Sequence, residues 1–103
     1  MRFEWNEEKN ERNIADHGIS FEEARLVFDD PLQLSVVDNR FSYFEERWIT
    51  VGMAGDRGIV VAAHLYFDDE DEEVIRIISA RRATRREREQ YGMWKRTTVP
   101  SGD

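Results

Sequence analysis

The feature that most limits what this chain can fold into lies between Arg47 and Ser79, where three apolar stretches are separated by two turn signals. Arg47 to Ala54 and Ile59 to Phe67 flank Gly55-Asp56-Arg57-Gly58, and six consecutive acids, Asp68 to Glu73, precede a third stretch from Val74 to Ser79. Short runs rich in Ile, Val and aromatics, bounded by glycine or charge, predict strands, and three in succession predict an antiparallel meander. A chain of 103 residues has room for one modest core around it. We therefore expect a single domain over 1–95 and a frayed tail over 96–103, where Pro100 and Gly102 fall.

The flanking segments add helices. Phe3-Glu4-Trp5 alternates like a short strand, and Asn6 is placed to cap a helix whose first turn carries Glu7 and Glu8, which favour the positive end of its dipole. Gly18 supplies the left-handed residue that ends this helix. Ser20 and Glu23 form a capping box for a second helix with an apolar stripe of Phe21, Ala24, Leu26, Val27 and Phe28, closed by Asp29-Asp30-Pro31. Leu32 to Val37 predicts a strand, followed by a loop beginning at Asp38-Asn39-Arg40. Thr84 and Glu87 form another capping box, for a last helix that runs to Gln90 or beyond and ends near Gly92. The order β-α-α-β-β-β-β-α predicts an α+β domain, with helices on one face of a mostly antiparallel sheet and the other face open.

Strand periodicity then proposes a site. With the first hairpin centred near Asp56, Trp48 lies opposite His64, Glu46 opposite Tyr66 and Thr50 opposite Ala62. With the acidic turn centred near Asp71, Arg76 lies opposite Tyr66 and Ile78 opposite His64. Glu46, Trp48, Thr50, His64, Tyr66 and Arg76 are thus expected on the open face. Ile49, Val51, Ile59, Val61, Ala63, Leu65, Phe67, Ile75 and Ile77 are expected in the core. Carboxylate, imidazole, phenol and guanidinium together suit metal-free RNA scission, which needs a base for the 2′-hydroxyl, positive charge for the phosphorane and an acid for the leaving oxygen. His64 or Glu46 would be the base, Arg76 and Arg81 the electrostatic clamps, and Tyr66 or Tyr91 a proton donor or stacking platform. The competing reading makes His64 a packed strand residue beside Trp48, whereas Arg76, between Val74-Ile75 and Ile77-Ile78, needs solvent or an anion on its side. His17, at a helix C-terminus, reads as a dipole cap rather than a catalyst.

Charge and composition narrow the partners. A net charge of -7 argues against polyanion binding in general, but the charge is divided. Residues 1–73 carry seven basic and nineteen acidic side chains, a net −12, and residues 74–103 carry eight basic and three acidic, a net +5. An anionic partner would meet the Arg76–Arg88 region, and the acidic body offers a surface to a basic protein. No cysteine is present, which removes disulfides and thiolate metal sites and points to the reducing cytosol. The acid run lacks the glycine and spacing of a calcium loop and reads as a solvated hairpin tip. No metal or cofactor is expected. Ile59-Val60-Val61-Ala62-Ala63 is far too short to span a membrane, and the N-terminus does not start a signal peptide, so no membrane partner is expected.

Several blocks resemble a known family. Phe3-Glu4-Trp5-Asn6-Glu7-Glu8-Lys9-Asn10, Asn13, His17-Gly18-Ile19-Ser20-Phe21-Glu22-Glu23-Ala24 and Val27-Phe28-Asp29-Asp30-Pro31 resemble the N-terminal signature of BrnT-type toxins. Glu45 to Gly52, Ile75 to Glu87 and Tyr91 resemble its central and C-terminal blocks, so the resemblance covers about residues 2–91. Asp16, where a basic residue is usual, and Asn6, where Asp is usual, depart from it. The resemblance implies the toxin of a type II toxin-antitoxin pair: a RelE-like endoribonuclease that cuts RNA and arrests translation. Its partner would be a BrnA-like antitoxin whose DNA-binding domain represses the operon. It also implies that Arg76, Ser79, Arg81 and Tyr91 belong to the site. Arg76, Arg81, Tyr91, His64 and Glu46 are thus the expected catalytic residues, and Trp48, Tyr66, Ser79, Arg82 and Arg85 the expected RNA-binding ones. The alternatives are a non-catalytic binding module, or a decayed toxin that only docks an antitoxin or nucleic acid.

Overall fold

Local signals in the N-terminal third are obeyed almost residue by residue. The computed structural model describes residues 1–39 and 46–98; the expected loop residue Arg40 and the Pro100 and Gly102 tail positions lie outside them. Strand β1 (Arg2–Glu4) leads into helix α1 (Glu7–His17), where the Asn6 side chain accepts the Lys9 amide at 3.0 Å and Gly18 ends the helix at φ 71°. Ser20 and Glu23 close both halves of their capping box and start helix α2 (Phe21–Ala24). The expected longer helix tightens into a 3-10 segment over Arg25–Asp29 before Pro31. Strand β2 (Leu34–Val37) follows, then β3 (Arg47–Met53), β4 (Ile59–Asp69), β5 (Glu72–Arg82) and helix α3 (Arg85–Thr98). Gly92 does not stop α3: one glycine costs only about 1 kcal/mol inside a helix, and neighbours such as Glu89, Gln90 and Met93 are good helix formers.

The sheet has five strands in the order β1-β5-β4-β3-β2. β1 runs parallel to β5, and every other pairing is antiparallel. Trp48 faces His64 and Thr50 faces Ala62, as the hairpin centre requires. The β4–β5 ladder keeps the expected register from Val60/Arg82 to Ala63/Ser79, then slips by one residue to pair His64 with Ile77, Leu65 with Arg76 and Tyr66 with Ile75. Ile78 is the extra residue of a β-bulge. Two expected pairings, Arg76 with Tyr66 and Ile78 with His64, are therefore corrected by one position.

The two faces are also exchanged relative to expectation. The helices pack on the even-numbered face of β4: Ile19, Phe21, Ala24 and Val27 enclose Val60, Ala62, Ile75, Ile77 and Ala80, with Tyr66 packed at the margin. Thr50 and His64 are completely buried there. Small side chains explain the choice, because Ala62, Ala80 and Gly52 let the helical segment come close, and a Cβ on Gly52 would stand 3.0 Å from the Val27 carbonyl. The open face carries Ile49, Val51, Ala63, Leu65 and Phe67, the set expected inside. Ile75 and Ile77 stay in the core because the bulge inverts the alternation of β5.

One buried side chain ties the helical layer to the sheet. Asn13 on α1 donates to the carbonyls of Ile19 at 2.8 Å and Ala80 at 2.9 Å, and accepts from the Ala80 amide at 3.1 Å. At the far end of β4 the two-residue turn holds Glu70 at φ 52° and Asp71 at φ 66°. Residues other than Gly, Asn and Asp are strained there, so the strain falls mainly on Glu70. Replacing the pair with Asn-Gly is expected to stabilise the domain by about 1–2 kcal/mol and raise Tm by roughly 5–10 °C, read by thermal denaturation. An unchanged or lower Tm would contradict the strain assigned to this turn.

Candidate active site

The bulge at Ile78 decides which side chains meet. In an unbroken strand Arg76 would face the opposite side from Ser79 and Arg81; with one residue inserted between them, all three fall on the open face. Adjacent strands extend the row, since Arg76 pairs with Leu65, Leu65 with Arg47, and Glu4 of β1 with Arg76. Arg76 Nη1 lies 3.5 Å from Glu4 Oε1, with both side chains partly exposed.

Beside this row the open face sinks into a cleft of about 250 Å³ lined by His17, Asp38, Arg47, Ile49, Val61, Ala63, Ser79, Ala80 and Arg81. Its floor is apolar and its walls bring two guanidinium groups, a hydroxyl and an imidazole to one place. His17 arrives from the last turn of α1, which Asn13 fastens to β5 at Ala80. Asp38 is buried just beyond β2, where its amide donates to the Arg47 carbonyl at 2.7 Å. Arg81 is gripped by Glu87 through Nη1–Oε1 at 2.7 Å and Nη2–Oε2 at 2.9 Å. A second depression of about 450 Å³ on α3, lined by Arg85, Arg88, Glu89, Gly92 and Met93, is wider and holds no imidazole.

The expected site residues divide. Arg76, Ser79 and Arg81 are brought together. His64 is a correction: it is wholly buried on the helix-covered face, stacked edge-on between Phe28 and Tyr66. Its Nε2 shares a 2.6 Å hydrogen bond with Thr50 Oγ1, which shares another with Ser35 Oγ at 2.6 Å, and its Nδ1 finds no partner among the described residues. Trp48 and Tyr66 pack against each other on that same face with centroids 5.3 Å apart, which corrects their open-face placement. Glu46 is exposed ahead of β3 and does not line the cleft. Tyr91 is 4% exposed and donates to Asp30 Oδ2 at 2.5 Å; burial, then this bond, push its phenol up to about 12. Arg82 and Arg85 are exposed outside the cleft, and Arg85 is paired with Glu89 at 3.2 Å.

Sequence reasoning missed His17, Asp38 and Arg47. His17-Gly18 already stood out as a block, and Arg47 shares strand parity with Ile49, but both signals were spent on a helix cap and a core assignment.

Burial pushes His64 down to about 4 from an ordinary 6.5, so the unfolded chain takes up the proton first. Its contribution is complete above about pH 6.5, falls as the pH drops toward 4 and levels off below, a total of about 3 kcal/mol. Urea midpoints at pH 7 and pH 4.5 should differ accordingly, and His64→Gln should shrink the difference. An equal difference in the variant would contradict this origin.

Comparison with known proteins decides the family. A family model described as "Ribonuclease toxin, BrnT, of type II toxin-antitoxin system" matches residues 5–87. The chain belongs to the BrnT family. A solved structure similar to it is the 1.1 Å crystal structure of the Brucella abortus ribonuclease toxin BrnT, with 26% identity and a TM-score of 0.60, covering 82% of this chain and 99% of that one. Among curated proteins none matches. BrnT membership makes the chain a ribonuclease toxin of a type II toxin-antitoxin system, which implies an RNA target and an antitoxin partner. The three helices and five-stranded, mostly antiparallel sheet agree with the expected α+β class. Among the described residues no helix is long and apolar enough to cross a membrane.

Proposed function

We propose that this BrnT protein cuts RNA in the open-face cleft, by attack of a ribose 2′-hydroxyl on the adjacent phosphate. The convergence of Arg47, Ser79, Arg81 and His17 around an apolar floor carries the reading. Ile49, Val61 and Ala63 offer a dry surface for one unpaired base. Arg47 and Arg81 flank the phosphate and stabilise charge that builds on its non-bridging oxygens, and the Ser79 hydroxyl donates to one of them. Arg76 adds positive potential along the row. His17 moves the proton: the 2′-oxygen loses it as the P–O2′ bond forms, and the 5′-oxygen gains one as the P–O5′ bond breaks. The products are a 2′,3′-cyclic phosphate and a 5′-hydroxyl.

An acidic body around this arginine-lined face favours weak binding of RNA outside the cleft. The remaining expectations follow the family. A BrnA-like antitoxin holds the toxin inactive in the cytoplasm, translation stops when it is released, and the active unit is one domain over 1–95.

The experiment is cleavage of a defined RNA by purified protein in excess chelator, with the product ends identified. Cyclic phosphate ends, and resistance of RNA carrying a 2′-deoxyribose at the cut position, are the expected result. Products with 5′-phosphate ends would overturn the 2′-hydroxyl route. No cleavage by folded protein would favour a decayed toxin that only docks its antitoxin.

A further inference from the structure

Glu87 divides one carboxylate between two elements. At the start of α3 its Oε1 accepts from the Thr84 amide at 2.8 Å, while Thr84 Oγ1 accepts from the Glu87 amide at 3.2 Å. Both of its oxygens also meet Arg81, at 2.7 and 2.9 Å, in two parallel charge-assisted bonds. Side-chain exposures of 43% for Arg81 and 25% for Glu87 leave the guanidinium reachable from the cleft and its clamp sheltered behind it. The Arg81 hydrogen bond, against the opposing effect of burial and with help from the Thr84 amide, holds the Glu87 carboxyl down to about 2.

A guanidinium on a flexible stem acts on a transition state only when its plane is held, and two-point contact holds it as a single charge contact does not. We propose that Glu87 is a positioning residue for RNA cleavage, fixing the Arg81 guanidinium at the wall of the cleft. The inference rests on the cleft being the cleavage site. It has an unusual sign, because simple electrostatics says that removing a carboxylate beside a polyanion's binding site should help. Positioning says that the loss of orientation outweighs the gain in charge.

The test compares the steady-state kinetics of Arg81→Ala, Glu87→Gln and the double variant on one RNA. Glu87→Gln is expected to lower kcat by about 10–100-fold with KM unchanged or lower. On the Arg81→Ala background the same change should have no more than about a two-fold effect, because Glu87 would act only through Arg81. Thr84→Ala, which removes the other half of the capping box, should lower Tm without lowering kcat. Arg81→Lys, which keeps the charge and the intact cap but loses the two-point grip, should lose kcat to a similar extent and serves if Glu87→Gln fails to fold. A Glu87→Gln kcat that is unchanged or raised, an equal loss on both backgrounds, or an Arg81→Lys variant with full kcat would overturn the positioning role. Full activity in Arg81→Ala would overturn the cleft assignment itself, and the positioning role with it.

Discussion

Arg81→Ala is expected to reduce RNA cleavage by about 10²–10³-fold, the size of effect seen when one preorganised donor to a developing oxyanion is removed. Arg81 is one of two arginines on the cleft wall, its plane is set by Glu87, and it stands beside Ser79 on the face that the bulge completes. Stability should change little, since the ion pair it leaves is partly exposed, and Glu87 keeps its contact with the Thr84 amide. Cleavage rates and far-ultraviolet circular dichroism on the same preparation separate the two quantities. A folded variant with normal rates would contradict the role given to Arg81.

The largest effect on stability is expected from Asn13→Ala. Three hydrogen bonds would be lost, and the carbonyls of Ile19 and Ala80 and the Ala80 amide would be left without that partner at a buried junction. At about 1–3 kcal/mol for each unsatisfied group, partly offset by relaxation, the cost is about 3–5 kcal/mol. For a domain of this size that lowers Tm by roughly 15–25 °C, a large share of the stability typical of small proteins. Because the same bonds hold the end of α1 against β5, a surviving folded fraction should also cleave RNA more slowly, through misplacement of His17. A shift in Tm of only a few degrees would show that the α1–β5 junction is held mainly by other contacts.

Local chemistry in this BrnT chain was legible, and long-range placement was less so. Caps at Asn6, Ser20 and Thr84 act within four residues, where side-chain reach decides the outcome, and each is found as expected. The β3–β4 register was also legible, because Gly55 to Gly58 pin a tight connection between two patterned strands. Which face the helices cover was not. Both faces of β4 carry apolar side chains, and the odd set of Val61, Ala63, Leu65 and Phe67 is more uniformly apolar than Val60, Ala62, His64 and Tyr66. The helices instead settled on the small side chains, where close approach is possible.

The bulge left no mark in sequence either. Ile78 is as apolar as Val74, Ile75 and Ile77, so nothing in the run says that one of them will go unpaired. Yet that one insertion moves Arg76 to the side of Ser79 and Arg81 and away from the face that holds His64. The place of His17 at the cleft was missed for a related reason: it depends on where α1 ends relative to β5, a distance set by Asn13 and not by the histidine's neighbours in sequence. Resemblance to BrnT proteins picked out Arg76, Ser79 and Arg81 without that geometry, and picked out Tyr91, which in this chain is committed to Asp30.

The central claim is that RNA meets the open face. It is tested most directly by methyl chemical shifts, recorded as an RNA made uncleavable by a single 2′-deoxyribose at the cut position is added. Ile49, Val61 and Ala63, which line the cleft, should shift in proportion to occupancy, while Val27, Ala62, Ile75 and Ile77 beneath the helices should stay in place. Shifts confined to the covered face around Trp48 and Tyr66, with Ile49, Val61 and Ala63 unmoved, would contradict the account.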